Sequence, residues 1–215
     1  IGDGGGETGE GRRVRLDLSY LGTFYEGWQA QDAARTTGVA PRTVQATVEE
    51  ALSRMHGLSL RVHAASRTDS GVHAEGQVAH VDLPPRAPRI PPDGLRRGLN
   101  TLLPWDVRVH AAADAPPGWH ARFGALGKRY VYRLRRGEVL PPFEGLRETL
   151  APRRLDVASM ADAASRLTGR HDFAAFGLAG APRKTTVRTL SRLEVVEEGP
   201  LLLVVAVGDG FLRGM

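Results

Sequence analysis

Two spacings of apolar residues alternate along this chain, and no single kind of element satisfies both. Leu16, Leu18 and Tyr20 take every second position between Arg15 and Leu21, with Arg15, Asp17 and Ser19 interleaved, which predicts a strand with one buried face. Val44, Val48, Leu52 and Met55 instead recur at three and four, one stripe of a helix that begins after Thr43 as N-cap and ends at Gly57 as C-cap. Strand-like segments follow at residues 60–65 and 77–83, and the Gly-containing polar stretch Ser66 to Glu75 between them reads as a loop. Pro84 to Pro92 then leads into a short helix carrying Leu95, Leu99 and Leu102, which Pro104 ends.

The same order returns further on. A strand is expected at Lys128 to Arg135 and a helix at Asp156 to Thr168, with Val157, Met160, Ala161, Ala164 and Leu167 on one side, before strands at Thr189 to Val196 and Leu201 to Val207. Strand, helix, strand, strand appearing twice argues for an α+β fold of two pseudo-repeated halves, with mostly antiparallel sheets flanked by helices. The expected divisions are a disordered Gly-rich tail at 1–13, an N-terminal half at 14–112 and a C-terminal half at 113–215. No strand precedes the glycines of the tail, so they are not a dinucleotide-binding fingerprint.

The absence of cysteine excludes disulfides, thiolate metal sites and Cys nucleophiles. The seven histidines, at 56, 63, 73, 80, 110, 120 and 171, lack a ligand spacing such as H-E-x-x-H, so no metal is expected. No apolar run approaches the roughly 18 residues that span a bilayer, and no leader pattern opens the sequence, which together predict a cytoplasmic protein. Against 24 acidic residues stand 29 basic ones, of which only Lys128 and Lys184 are lysines. The planar fork of Arg suits phosphate, although solvated arginines on an ordinary surface give the same excess.

Two segments carry candidate chemistry. Ser66-Arg67-Thr68-Asp69-Ser70-Gly71-Val72-His73 puts a cation, a carboxylate and an imidazole on one loop. A nearby guanidinium favours the charged form of a carboxylate, and an ionised Asp can act as nucleophile or base. The same residues would equally build an Asx or ST turn stiffened by an Arg67–Asp69 pair. The second segment runs from His120-Ala121-Arg122-Phe123 through Lys128-Arg129-Tyr130-Val131-Tyr132-Arg133. Strand alternation puts Tyr130, Tyr132 and Leu134 on one face and Arg129, Val131, Arg133 and Arg135 on the other. Aromatics beside arginines suit stacking on a base and gripping its phosphates, with Arg122, Lys128 and Arg129 as candidate RNA contacts. An edge strand with core tyrosines is the alternative. His171-Asp172-Phe173 reads as a helix-exit turn that places Phe173 and Phe176 in the core, because no Ser or Cys nucleophile accompanies the His–Asp pair.

SRTDSGVHAEGQVAHVDL resembles the active-site signature of the tRNA pseudouridine synthase A family, RTDAGVH followed by GQV and a strand. YLGTFYEGWQAQ is similar to that family's N-terminal strand and turn, TVQATVEEAL to its first helix, HARFGALGKRYVYRL to its central strand, and GRHDFAAF with VRTL to a later loop and strand. The resemblance runs in order from about Leu16 to Met215. It implies an isomerase that converts uridine to pseudouridine at positions 38–40 in the anticodon stem-loop of tRNA, working without metal or organic cofactor as a homodimer with a basic central cleft. By position it implies that Asp69 is the essential carboxylate, that Arg67 assists extrusion of the base, and that Tyr130, rather than Tyr132, stacks on the uracil. Extrusion costs a few kcal/mol, which an inserted Arg and a stacking Tyr can offset.

Two departures stand out. Ser70 occupies a place where Ala is usual, and family members continue past GDGFLRGM with a segment bearing another active-site Arg, for which Arg213 is no substitute. The resemblance therefore implies that these 215 residues are a fragment, inactive or nearly so taken alone. A non-catalytic RNA-binding or chaperone module that keeps the basic cleft is the rival reading.

Overall fold

The computed structural model describes residues 11–30, 41–178, 180 and 185–215. The chain divides between Ala125 and Leu126 into two compact units. Residues 1–10 of the expected tail lie outside the described residues, whereas Arg12 and Arg13 already belong to the first strand.

Unit 1 runs β1 (Arg12–Tyr20), α1 (Val44–His56), β2 (Val62–Ala64), β3 (Ala74–Leu83), α2 (Pro92–Leu102) and β4 (Val107–Asp114). Its four strands lie in the order β2-β3-β1-β4 and are all antiparallel. The period-two pattern of β1 is realised: Val14, Leu16, Leu18 and Tyr20 are buried and join Val44, Val48 and Leu52 of α1 and Leu95 and Leu99 of α2 in one core. Burying each such Leu contributes about 1.5–3 kcal/mol relative to leaving it in water, which is what fixes β1 face-down. The caps of α1 are those expected: Thr43 Oγ1 accepts from the Ala46 N–H at 3.3 Å, and Gly57 takes the left-handed conformation at φ 65°. The strand β4 was missed, because V-R-V-H-A-A-A-D loses its alternation after two apolar residues.

One irregularity prepares the site. The register of β1 with β3 shifts between Leu18 and Tyr20, so Tyr20 faces Ala74 while Leu18 faces Gln77. Such a bulge re-aims a side chain at the end of a strand, and here it delivers the Tyr20 hydroxyl to the loop before β3.

Unit 2 runs β5 (Lys128–Arg135), β6 (Thr149–Leu150), α3 (Val157–Leu167), β7 (Gly169–Asp172), β8 (Val187–Glu198) and β9 (Leu201–Gly208). The strand order is β6-β5-β9-β8-β7, antiparallel except for the short β5/β6 pair. The Asp156 side chain caps α3 by accepting from Ser159 N. Phe173, Leu190 and Leu212 form its buried cluster, with Leu167, Leu193, Phe211 and Met215 packed around them.

Two expectations fail in unit 2. Ala161 is exposed because only the 157, 160, 164 and 167 stripe of α3 turns inward. Phe176 is 47% exposed; the short 3-10 turn Ala174–Phe176 lets it touch Phe173 edge-on without entering the core. Helices packed with largely antiparallel sheets make the fold α+β, as the sequence predicted.

Candidate active site

Asp69 lies on the loop joining β2 to β3, and this loop is held almost entirely through its backbone. Thr68 is buried, and its hydroxyl is 2.8 Å from the Tyr20 Oη. Its carbonyl accepts from Trp28 N at 3.0 Å. Gln77, buried at the foot of the loop, donates through Nε2 to the Ser66 carbonyl at 2.8 Å and accepts from Ser66 N at 3.3 Å, so one amide satisfies both polar groups of one residue. Beyond Asp69 the chain turns back. Val72 N donates to the Asp69 carbonyl at 3.2 Å around Gly71, whose φ of 77° is the value a type II turn demands at its third residue.

The outer clasp comes from the segment after β1. Gly71 N and the Ser70 hydroxyl both donate to the Tyr25 carbonyl, at 3.2 and 3.3 Å, and Gly22 N donates to His73 Nδ1 at 3.1 Å. Such closeness tolerates no side chain at two positions. A Cβ on Gly22 would stand 2.0 Å from the Val72 carbonyl oxygen, and one on Gly27, whose φ is 88°, would stand 2.7 Å from that of Thr68. Gly22, Gly27, Tyr25, Gln77 and Tyr20 are thus site-building residues that sequence reasoning overlooked, although two glycines five apart in GTFYEGW were a legible sign of close backbone approach.

With Thr68 turned in, the side chains of Arg67 and Asp69 on either side are exposed. Among the described residues no hydrogen bond or ion pair joins them, so the loop is not stiffened by an Arg67–Asp69 pair; Thr68, Gln77 and the Gly71 turn do that work. The carboxylate of Asp69 therefore projects from a fixed backbone with its oxygens available to a ligand. The hydroxyl of Ser70 finds an acceptor in the Tyr25 carbonyl, which explains how the loop accommodates it.

Arg122 belongs to the other end of unit 1, on a segment that covers His80 of β3. The Ala121 N–H donates to His80 Nδ1 at 3.2 Å, and His120 packs edge-on against His80 with ring centres 4.5 Å apart. Burial first, then the charge of Arg13, pushes the His80 imidazole down to about 4, and burial, followed by the neighbouring His63 and Arg13, lowers His120 as well. A neutral His80 is what an N–H donor at Nδ1 requires. Arg122 itself is exposed.

Lys128, Arg129 and Tyr130 open β5 in unit 2. Tyr130 is half-buried, pairs with Ala206 of β9, and meets Phe211 edge-on at 4.9 Å. Tyr132 is 63% exposed and Arg129 is exposed. The short β6 pairs β5 only at Leu134 and Arg135, so the 128–133 stretch has a neighbouring strand on one side alone among the described residues. Among the described residues no group of three or more His, Asp or Glu stands together as a metal site would, and no helix is long and apolar enough to cross a membrane.

An exposed carboxylate thus stands on a backbone-locked turn of one unit of this α+β protein, and aromatic and basic residues share a strand of the other. Comparison with known proteins makes this specific. The sequence profile of the tRNA pseudouridine synthase family matches residues 18–124 and 163–215. The chain is 48% identical over 182 residues to the tRNA pseudouridine synthase A of Oleidesulfovibrio alaskensis, a match covering 83% of this chain and 64% of that protein. It is 49% identical over 210 residues to the enzyme of the same name from Frankia casuarinae, covering 94% of this chain and 71% of that protein. With its namesake in Geobacter sulfurreducens it shares 41% identity over 204 residues, covering 95% and 80%. The chain belongs to the tRNA pseudouridine synthase family.

Proposed function

We propose that this chain serves the isomerisation of uridine to pseudouridine in the anticodon stem-loop of tRNA, at positions 38–40, with Asp69 as the catalytic carboxylate. The observation that carries the reading is the presentation of Asp69: an exposed acid on a turn whose backbone is bonded on both sides, inside the segment that matches the family. The reaction breaks the N1–C1′ bond, rotates the uracil, forms a C5–C1′ bond and releases the C5 proton while N1 gains one. Nothing is added and nothing is lost, so the residues must supply position and charge rather than a reagent. A fixed carboxylate serves either attack on C1′ or removal of a sugar proton.

In this reading Arg67 fills the space left by the extruded base and Tyr130 stacks on the uracil, while Arg122, Lys128 and Arg129 contact phosphates. The like order of β2-β3-β1 and β8-β9-β5 supports treating the halves as a repeat. The protein works as a homodimer in the cytoplasm and needs no cofactor. The purified full-length protein should convert uridine in a tRNA transcript, and Asp69→Ala should abolish that conversion while lowering tRNA affinity by less than about tenfold, or roughly 1.4 kcal/mol. Intact conversion in that variant overturns the assignment. Salt-dependent tRNA binding by the wild-type protein without any modified product would favour a binding module instead.

A further inference from the structure

We propose that Tyr25 is a positioning residue for Asp69, transmitting the anchorage of its phenol at Asp106 through its own backbone carbonyl to the Asp69 turn; the proposal rests on the reading of Asp69 as the catalytic carboxylate. Tyr25 is 2% exposed, and its two ends do different things. At the far end the hydroxyl donates to Asp106 Oδ1 at 2.7 Å and accepts from Arg42 Nη2 at 2.9 Å. The same Arg42 nitrogen lies 3.0 Å from Asp106 Oδ2, and its guanidinium sits over the Tyr25 ring at 4.2 Å. Asp106 is 4% exposed, in the turn between α2 and β4, and its carbonyl accepts from Leu21 N at 2.9 Å. The phenol is thus fixed to the frame of unit 1 by a buried, fully bonded carboxylate.

At the near end the Tyr25 carbonyl is the acceptor for both Ser70 Oγ and Gly71 N, one and two residues after Asp69. Asp69's side chain has no bond of its own among the described residues, so its location follows the backbone, and on the C-terminal side of Asp69 that backbone is held by this carbonyl. Packing alone would not call for a tyrosine here, since a phenylalanine ring fills the same space. The hydroxyl satisfies Asp106, and by doing so it sets where residue 25 places its peptide oxygen. Displacing a reacting group by about 1 Å costs on the order of a hundredfold in rate, so small loosening of this tether is readable in turnover.

The test measures turnover and KM of the full-length protein on a tRNA transcript for Tyr25→Phe, Asp106→Asn and their combination, beside Asp69→Ala and a core control, Val48→Ala. Tyr25→Phe should lower kcat by about ten- to a hundredfold with KM within about twofold, because the turn acts in chemistry and not in tRNA affinity. Asp106→Asn keeps an acceptor for the phenol and should give an intermediate kcat, and the double variant should be no slower than Tyr25→Phe, since both cut one tether. Val48→Ala should lose stability without that change in kcat. A wild-type kcat for Tyr25→Phe well below its melting temperature, or a loss confined to KM, overturns the proposal. Should Tyr25→Phe fail to fold, the kcat of Asp106→Asn decides by the same criterion. Conversion by Asp69→Ala would sink the underlying catalytic reading, whereas a dead Asp69→Ala beside a fully active Tyr25→Phe would sink the tether alone.

Discussion

Unit 1 and unit 2 are built from similar elements but are closed to different degrees. In unit 1 two helices cover a four-stranded sheet, and twenty residues form one buried cluster. Among the described residues of unit 2 one α-helix accompanies five strands, the buried cluster is Phe173, Leu190 and Leu212 with Leu202, Leu203 and Val205 buried apart from it, and large apolar side chains such as Phe143, 94% exposed, face outward. The lesson concerns where rigidity resides. The Asp69 turn is held by residues of unit 1 that are tied to its core, so the proposed acid stands on the closed part of that unit. Tyr130 instead rests on a more thinly covered sheet, against Phe211.

The contrast can be broken by paired substitutions. The largest effect is expected from the helices: Leu52→Ala in α1 removes a fully buried side chain and should cost about 3 kcal/mol, whereas Met160→Ala in the half-buried stripe of α3 should cost less than about 1 kcal/mol. Denaturant titration measures both, and equal losses would mean the two units are equally closed. Next in size is Gly22→Ala, whose Cβ must push the Val72 carbonyl aside; about 2 kcal/mol of stability should go, together with most of the turnover. An unchanged kcat there would show that the clasp does not govern Asp69.

The smallest effect sharpens the comparison within unit 1. His80 has its folded pKa depressed to about 4 from an ordinary value near 6.5, chiefly by burial. As pH falls below about 6.5 the unfolded chain takes a proton that the folded one refuses, so stability is lost between about 6.5 and 4 and is fully present above that window. Asn at position 80 can still accept from Ala121 N through Oδ1 but does not titrate. The wild-type slope of stability against pH should therefore exceed that of His80→Asn over this window, and identical slopes would remove His80 from the account.

How much of this was legible depended on whether the signal was local. The stripe of α1, its Thr43 and Gly57 caps, and the loop character of 66–73 were readable, because periodicity and turn chemistry act within a few residues, whereas Ala74 and Glu75 of the expected loop already belong to β3. The clasp was not, since Gly22 meets Val72 and Tyr25 meets Gly71 only once β1 and β3 have paired in a shifted register. The expected Arg67–Asp69 pair was plausible from adjacency, yet burial of Thr68 turned both neighbours outward and a hydroxyl took over the stiffening. Ala161 was grouped with the α3 stripe by its spacing and Phe176 was placed in the core, yet Ala161 lies off the inward stripe and Phe176 stays on a short turn outside the core, so both are exposed.

Replacing Asp69 by Asn keeps the size and the turn while removing the charge. The most direct measurement is pseudouridine formed per tRNA by this variant against wild type, with tRNA binding followed in parallel. The account predicts retained binding and no detectable pseudouridine; product formed at an undiminished rate would contradict it.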